Sequence, residues 1–124
     1  MKKSIAEIMQ QFPHSIGQEI ELKRAEEQMK KFQIRHLPVL AGGKVVGILS
    51  DRDVKLAVKF GDGLTVQDVM TSDPYVVSPD TLVTEVFGQM AEHKYGAVLI
   101  AEKAKVVGIF TAVDAFKLLS EIYR

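Results

Sequence analysis

Two aspartates each stand three positions after a hydroxyl residue: Ser50-x-x-Asp53 closes the phrase "KVVGILSDRD", and Thr111-x-x-Asp114 closes "KVVGIFTAVD". Each motif ends an apolar run, at the point where a strand gives way to a helix. Two kinds of chemistry fit this spacing. A hydroxyl at the N-cap with an acid at N3 approximates a capping box, worth about 1 kcal/mol of helix stability. The same position is an anion site, because the first N–H groups of a helix are unpaired and carry partial positive charge that attracts phosphate. A Ser or Thr hydroxyl adds a donor there, and an aspartate one turn on accepts from both hydroxyls of a ribose. The two roles coexist if a ligand displaces the cap, and spacing alone leaves both open.

Gly47 and Gly108 lie inside the strand that precedes each motif. Glycine within an apolar strand marks a bulge or a close approach, either of packed protein or of a ligand ring. Neither is part of a P-loop, since "AGGKVVG" lacks the spacing and the Ser/Thr after Lys. The three histidines, His14, His36 and His93, have no cysteine partners and no His-x-x-x-His spacing, so no metal site is expected. His14 and His93 read as surface residues. A small enzyme built on Asp51, Asp53 and His36 lacks a nucleophile or metal set, and no catalytic residue is assigned. Met9, Met29, Met70 and Met90 read as core. The charged run "ELKRAEEQMKK" reads as the wet face of a helix.

The elements that must hold these motifs come in duplicate. Lys105 lies 61 positions after Lys44, and sliding the whole chain by that amount aligns it on itself without a gap. Met9 meets Met70, Pro13 meets Pro74, Gln28-Met29 meets Gln89-Met90, and Asp53 meets Asp114. The turn formers Gly61, Asp62 and Gly63 mark the joint. The division is therefore repeat one over 1–61 and repeat two over 62–124. Units this small bury too little apolar surface alone, which predicts that they pack face to face about a pseudo-two-fold axis.

Within each repeat, Ser4/Glu7 and Thr65/Asp68 open a short helix that Pro13 or Pro74 stops. "YVV" after Pro74 reads as a strand, and "HSI" as its counterpart. An amphipathic helix follows, with Leu22, Ala25 and Met29, or Val83, Val86, Phe87, Met90 and Ala91, on one stripe. "HLPVL" and "KVVGIL" are the next two strands, "AVLIA" and "KVVGIF" their counterparts. Gly42-Gly43 marks a hairpin in repeat one. Lys103-Ala104 replaces that pair in repeat two, which predicts a different turn. A last helix begins after each hydroxyl and in repeat two carries Val113, Phe116, Leu118, Leu119 and Ile122. Each repeat is thus helix, strand, helix, strand, strand, helix, an α+β fold of α/β-type repeats.

Composition excludes several classes. Sixteen Lys and Arg balance sixteen Asp and Glu over 124 residues, so no net field draws the chain onto nucleic acid or an anionic membrane. No apolar run approaches the ~18–20 residues that span a bilayer. "MKKSIAEIMQQ" has no apolar stretch after its lysines and does not read as a signal peptide. The absence of cysteine is compatible with a cytoplasmic protein.

A pair of ~60-residue repeats, each ending in Gly-hydrophobic-hydrophobic-Ser/Thr-x-x-Asp, resembles the cystathionine β-synthase (CBS) domain family in its tandem form, the Bateman module. "IRHLPVL" looks like the second-strand signature of that family, and the resemblance covers essentially the whole chain. It implies a stand-alone regulatory module, not an enzyme, that holds AMP, ADP, ATP or S-adenosylmethionine in clefts between paired repeats. By the same resemblance Asp53 and Asp114 hold ribose hydroxyls, and Ser50 and Thr111 face phosphate. Strand groups near Ile16 and Val77 line the adenine, with Tyr75 a possible aromatic neighbour. Arg35 and His36, at a position where the family carries basic residues, reach phosphate, and Arg52 adds charge inside the motif. Repeat two has Gly96, Ala97 and Val113 at those three positions, which implies a less charged ligand there or none. Further departures are Glu19-Ile20 against the start that repeat two keeps as Pro79-Asp80-Thr81, and Leu99 in place of Pro38. The resemblance also implies a homodimer and a signal passed to a partner protein. The alternative is a structural or oligomerisation domain whose two motifs are caps only.

Overall fold

A computed structural model describes residues 2–124. The first repeat opens with a 3-10 turn, Ile5–Glu7, in which Glu7 accepts from the Ser4 amide at 2.7 Å. In chain order follow β1 (Gln10–Gln11), β2 (Ile16–Gly17), α1 (Leu22–Phe32), β3 (His36–Ala41), β4 (Lys44–Ser50) and α2 (Asp51–Val58). The second repeat supplies α3 (Val66–Val69), β5 (Thr71–Ser72), β6 (Val76–Val77), α4 (Val83–His93), β7 (Ala97–Glu102), β8 (Lys105–Thr111) and α5 (Ala112–Ile122). The α+β class predicted from the repeat is the one observed. The very short strands β1 and β5 are additions, since two residues carry no periodicity to read.

The chain forms two compact units that part at Pro13/His14 and again at Pro74/Tyr75. One, central in sequence, is His14–Pro74; the other is split, joining the opening segment to Tyr75–Arg124. Each unit therefore takes its main sheet from one repeat and its short opening segment from the other. The central sheet has the order β2-β3-β4-β5 and the split sheet β1-β8-β7-β6. In both, the strand after the proline runs parallel to its neighbour and the remaining pairs are antiparallel.

The registers repeat residue for residue. Ile16, Val39, Gly47 and Ser72 lie in one row across the central sheet. Val77, Ile100, Gly108 and Gln11 form the equivalent row of the split sheet. Burial follows the predicted stripes: Leu22, Ala25 and Met29 of α1 meet Leu37, Val39 and Leu49, while Val86 and Met90 of α4 meet Val98, Ile100 and Phe110. Each such side chain withdrawn from water contributes about 1.5–3 kcal/mol. Phe87 and Ala91 stay at the solvent-facing edge of the stripe. No residue of α5 is buried, although Ala115 and Leu118 pack against the core of the split unit.

The hairpin of repeat two corrects the sequence reading. Lys103 and Ala104 adopt φ of 50° and 67°, the same left-handed pair that Gly42 and Gly43 adopt at 58° and 81°. The turn is kept because the register is kept: Glu102 pairs with Lys105 as Ala41 pairs with Lys44. The right-handed twist of the strands favours this two-residue turn, and the paired strands override the local preference of Lys and Ala. Left-handed backbone costs a non-glycine residue about 1–2 kcal/mol. Ala104→Gly is therefore expected to stabilise the protein by about 1 kcal/mol, a rise of roughly 4 °C in Tm by calorimetry.

Candidate functional site

In the central unit, β4 delivers Ser50 to the start of α2. Ser50 is extended (φ −102°, ψ 153°) and its Oγ accepts from the Asp53 amide at 3.2 Å. The Arg35 carbonyl accepts from the Asp51 amide at 2.8 Å, tying the segment before β3 to the helix start. His36 opens β3 directly across from Ser50. Ser50, Asp53, Arg35 and His36 thus meet at one corner of the sheet, with Ser50 and Asp53 half-buried and Arg35 and Arg52 exposed. Ile16 is buried in the row of Gly47 and borders a groove of about 420 Å³ with Gly17 and Ile20. Arg35 borders another, of about 230 Å³, with Asp51 and Val54. These two predicted site residues line separate grooves.

The split unit repeats the backbone and changes the side-chain bonding. Thr111 Oγ1 accepts from the Asp114 amide at 3.2 Å, and the Gly96 carbonyl accepts from Ala112 at 3.0 Å. Here the capping box is complete: Asp114 Oδ2 accepts from the Thr111 amide at 2.9 Å. Gln10 Nε2, which no sequence argument singled out, lies 2.9 and 2.8 Å from the two Asp114 carboxylate oxygens. The carboxylate of Asp53 makes no such bond among the described residues; only the Asp53 backbone N–H meets the Ser50 hydroxyl. The two motifs, alike in sequence, differ in how far their carboxylates are already used.

Both glycines make room for a methionine side chain. A Cβ on Gly47 would stand 2.6 Å from Met70 Sδ and 2.8 Å from the Thr71 carbonyl oxygen. A Cβ on Gly108 would collide with the Met9 sulfur. Each methionine comes from the opening segment that completes the unit, so methionine and glycine recur together. Val77 is half-buried in the row of Gly108. Tyr75 stacks on Tyr95 at 5.0 Å between centroids, and Tyr95 on His93 at 5.2 Å. Burial first, then the Glu85 carboxylate and Tyr95, raise the Tyr75 phenol above its ordinary value. It therefore remains a neutral donor at physiological pH.

Comparison with known proteins gives this paired architecture a family. The CBS domain model matches twice, over residues 5–59 and 66–121. The chain belongs to the CBS domain family. Among curated relatives, inosine-5'-monophosphate dehydrogenase of Korarchaeum cryptofilum is 34% identical over 103 residues, which are 82% of this chain and 21% of that enzyme. The CBS pair here spans about a fifth of that relative's length. The CBS domain pair of MJ0100, solved with 5'-methylthioadenosine and S-adenosyl-L-methionine, superposes with a TM-score of 0.90 at 25% identity, covering 98% of this chain and 99% of that one. CBSX2, solved with AMP, shares the fold with a TM-score of 0.82 at 24% identity, covering 98% of each chain. No helix among the described residues is long and apolar enough to cross a membrane.

Proposed function

We propose that this CBS pair is a regulatory module that binds an adenosyl ligand, with the Ser50–Asp53 motif as its principal site. In this reading the Asp53 carboxylate accepts both ribose hydroxyls. Ser50 Oγ and the start of α2 face the first phosphate. Arg35, His36 and Arg52 supply charge to further phosphate oxygens, and Ile16 lines the base. Thr111, Asp114, Val77 and Tyr75 take the corresponding roles in the split unit, for a ligand with less negative charge. Gly47 and Gly108 keep the packing role that their methionines give them. What carries the reading is the Asp53 carboxylate: half-buried, at a helix start, and without an intramolecular polar partner among the described residues. The adenosyl ligands of the MJ0100 pair support the ligand class.

Calorimetric titration of the protein with AMP, ADP, ATP and S-adenosylmethionine tests this directly. Saturable binding of at least one is expected, with AMP, ADP or ATP favoured at the arginine-bearing motif. No heat from any of the four at millimolar concentration would end the sensor reading and leave an oligomerisation domain. Signalling follows only if the ligand prefers one of two conformations of the module, since equal affinity for both shifts nothing.

The module is further proposed to act as a homodimer through α5. Val113, Phe116, Leu119 and Ile122, each three residues from the next, are 50%, 70%, 43% and 71% exposed, an apolar stripe too large to leave in water. Phe116→Glu is expected to convert the dimer to monomer in light scattering while leaving the fold intact. A wild-type protein that is monomeric at high micromolar concentration would contradict the dimer.

A further inference from the structure

We infer that Gln10 is the specificity-determining residue that separates the two motifs, by occupying in the split unit the carboxylate that a ribose diol needs. The inference rests on the proposed role of the aspartates as ribose acceptors. A carboxylate offers about four acceptor positions. At Asp114 the Gln10 amide nitrogen engages both oxygens, at 2.9 and 2.8 Å, and the Thr111 amide takes a further position on Oδ2 at 2.9 Å. A diol entering there must first displace Gln10, whereas at Asp53 it meets an uncommitted carboxylate.

The cause lies in one side chain, because the backbones are equivalent. Gln10 pairs across the sheet with Ile109, and Thr71, the residue 61 positions on, pairs with Ile48 in the same register. Thr71 is too short to reach Asp53, and no bond joins them among the described residues. Gln10 is exposed and held by β1, so it stands ready at the carboxylate without needing to be buried. Hydrogen bonds to a charged group are stronger than neutral ones, though water offsets part of that at an exposed position. Their removal is expected to tighten ligand binding at Asp114 roughly tenfold.

The test reads the Asp114 site alone, in the Asp53→Ala protein, by calorimetric titration with AMP and, separately, with S-adenosylmethionine. Adding Gln10→Thr, which installs the residue of the other repeat, should improve affinity about tenfold for whichever ligand binds. The gain should vanish when Asp114→Ala is added, an outcome that a merely structural effect of Gln10 does not produce. Melting temperatures confirm that each variant is folded. If Gln10→Thr leaves the affinity of the Asp53→Ala protein unchanged, or if neither protein binds while wild type does, Gln10 does not set the difference and the inference fails alone. If wild type binds neither ligand, the ribose reading of the aspartates fails and this inference with it.

Discussion

Asp53→Ala is expected to cost about a hundredfold in affinity at the principal site and almost nothing in melting temperature, while Asp114→Ala lowers the melting temperature and leaves the affinity of the principal site unchanged. Asp53 makes no intramolecular carboxylate bond among the described residues, so its removal leaves no donor stranded in the protein. What it forfeits is the favourable charge in the first turn of α2, about 0.3–1 kcal/mol, offset by the better helix propensity of Ala. In the complex it would accept two ribose O–H groups. Losing two hydrogen bonds to a charged acceptor costs about 3 kcal/mol, a factor of roughly one hundred. Asp114, by contrast, accepts from the Thr111 amide and from Gln10. Its loss breaks the capping box and costs about 1 kcal/mol, some 4 °C in Tm. A caps-only role for both motifs predicts no effect of either variant on ligand titrations, so calorimetry separates the accounts, while the melts test the unequal use of the two carboxylates.

Gly47→Ala is expected to be the most damaging single-methyl change in the protein. The added Cβ would lie 2.8 Å from the Thr71 carbonyl oxygen as well as 2.6 Å from Met70 Sδ. The sulfur can swing aside, but the carbonyl belongs to β5, which pairs with β4 at Gly47–Ser72 and Ile48–Thr71. Relieving the clash means moving the strand. Overpacking of this kind costs about 2–3 kcal/mol, a fall of about 10 °C in Tm. At Gly108 the nearest atoms are all in the Met9 side chain. Gly108→Ala should therefore cost less, and Met9→Ala in the same chain should recover most of the loss. A Gly108→Ala protein that Met9→Ala does not rescue would show that the sulfur is not what the glycine accommodates.

Most of the fold was legible because the chain states it twice. The stripes of α1 and α4, the paired strands and the hydroxyl at each helix start all follow from periodicity and from the alignment of the repeats. Three features were not legible, each because tertiary structure decided it. The hairpin at Lys103-Ala104 keeps its left-handed turn because strand register outweighs the preference of two residues. The strands β1 and β5 are too short to carry a pattern, yet they bring Met9, Met70 and Gln10 to the sheets they complete. The uneven use of the two aspartates was invisible because Ser50-x-x-Asp53 and Thr111-x-x-Asp114 are the same motif on paper. The signal was present one strand away, in Gln10 against Thr71, and it acquired meaning only once β1 was placed beside β8.

The central claim is that an adenosyl ligand sits at the start of α2, and amide chemical shifts report that position directly. A titration of isotope-labelled protein with AMP, followed by two-dimensional nitrogen–proton NMR, should move the amides of Ser50, Arg52 and Asp53 most, with Ile16 following. Saturable shifts confined to other parts of the chain, with those four amides unmoved, would contradict it.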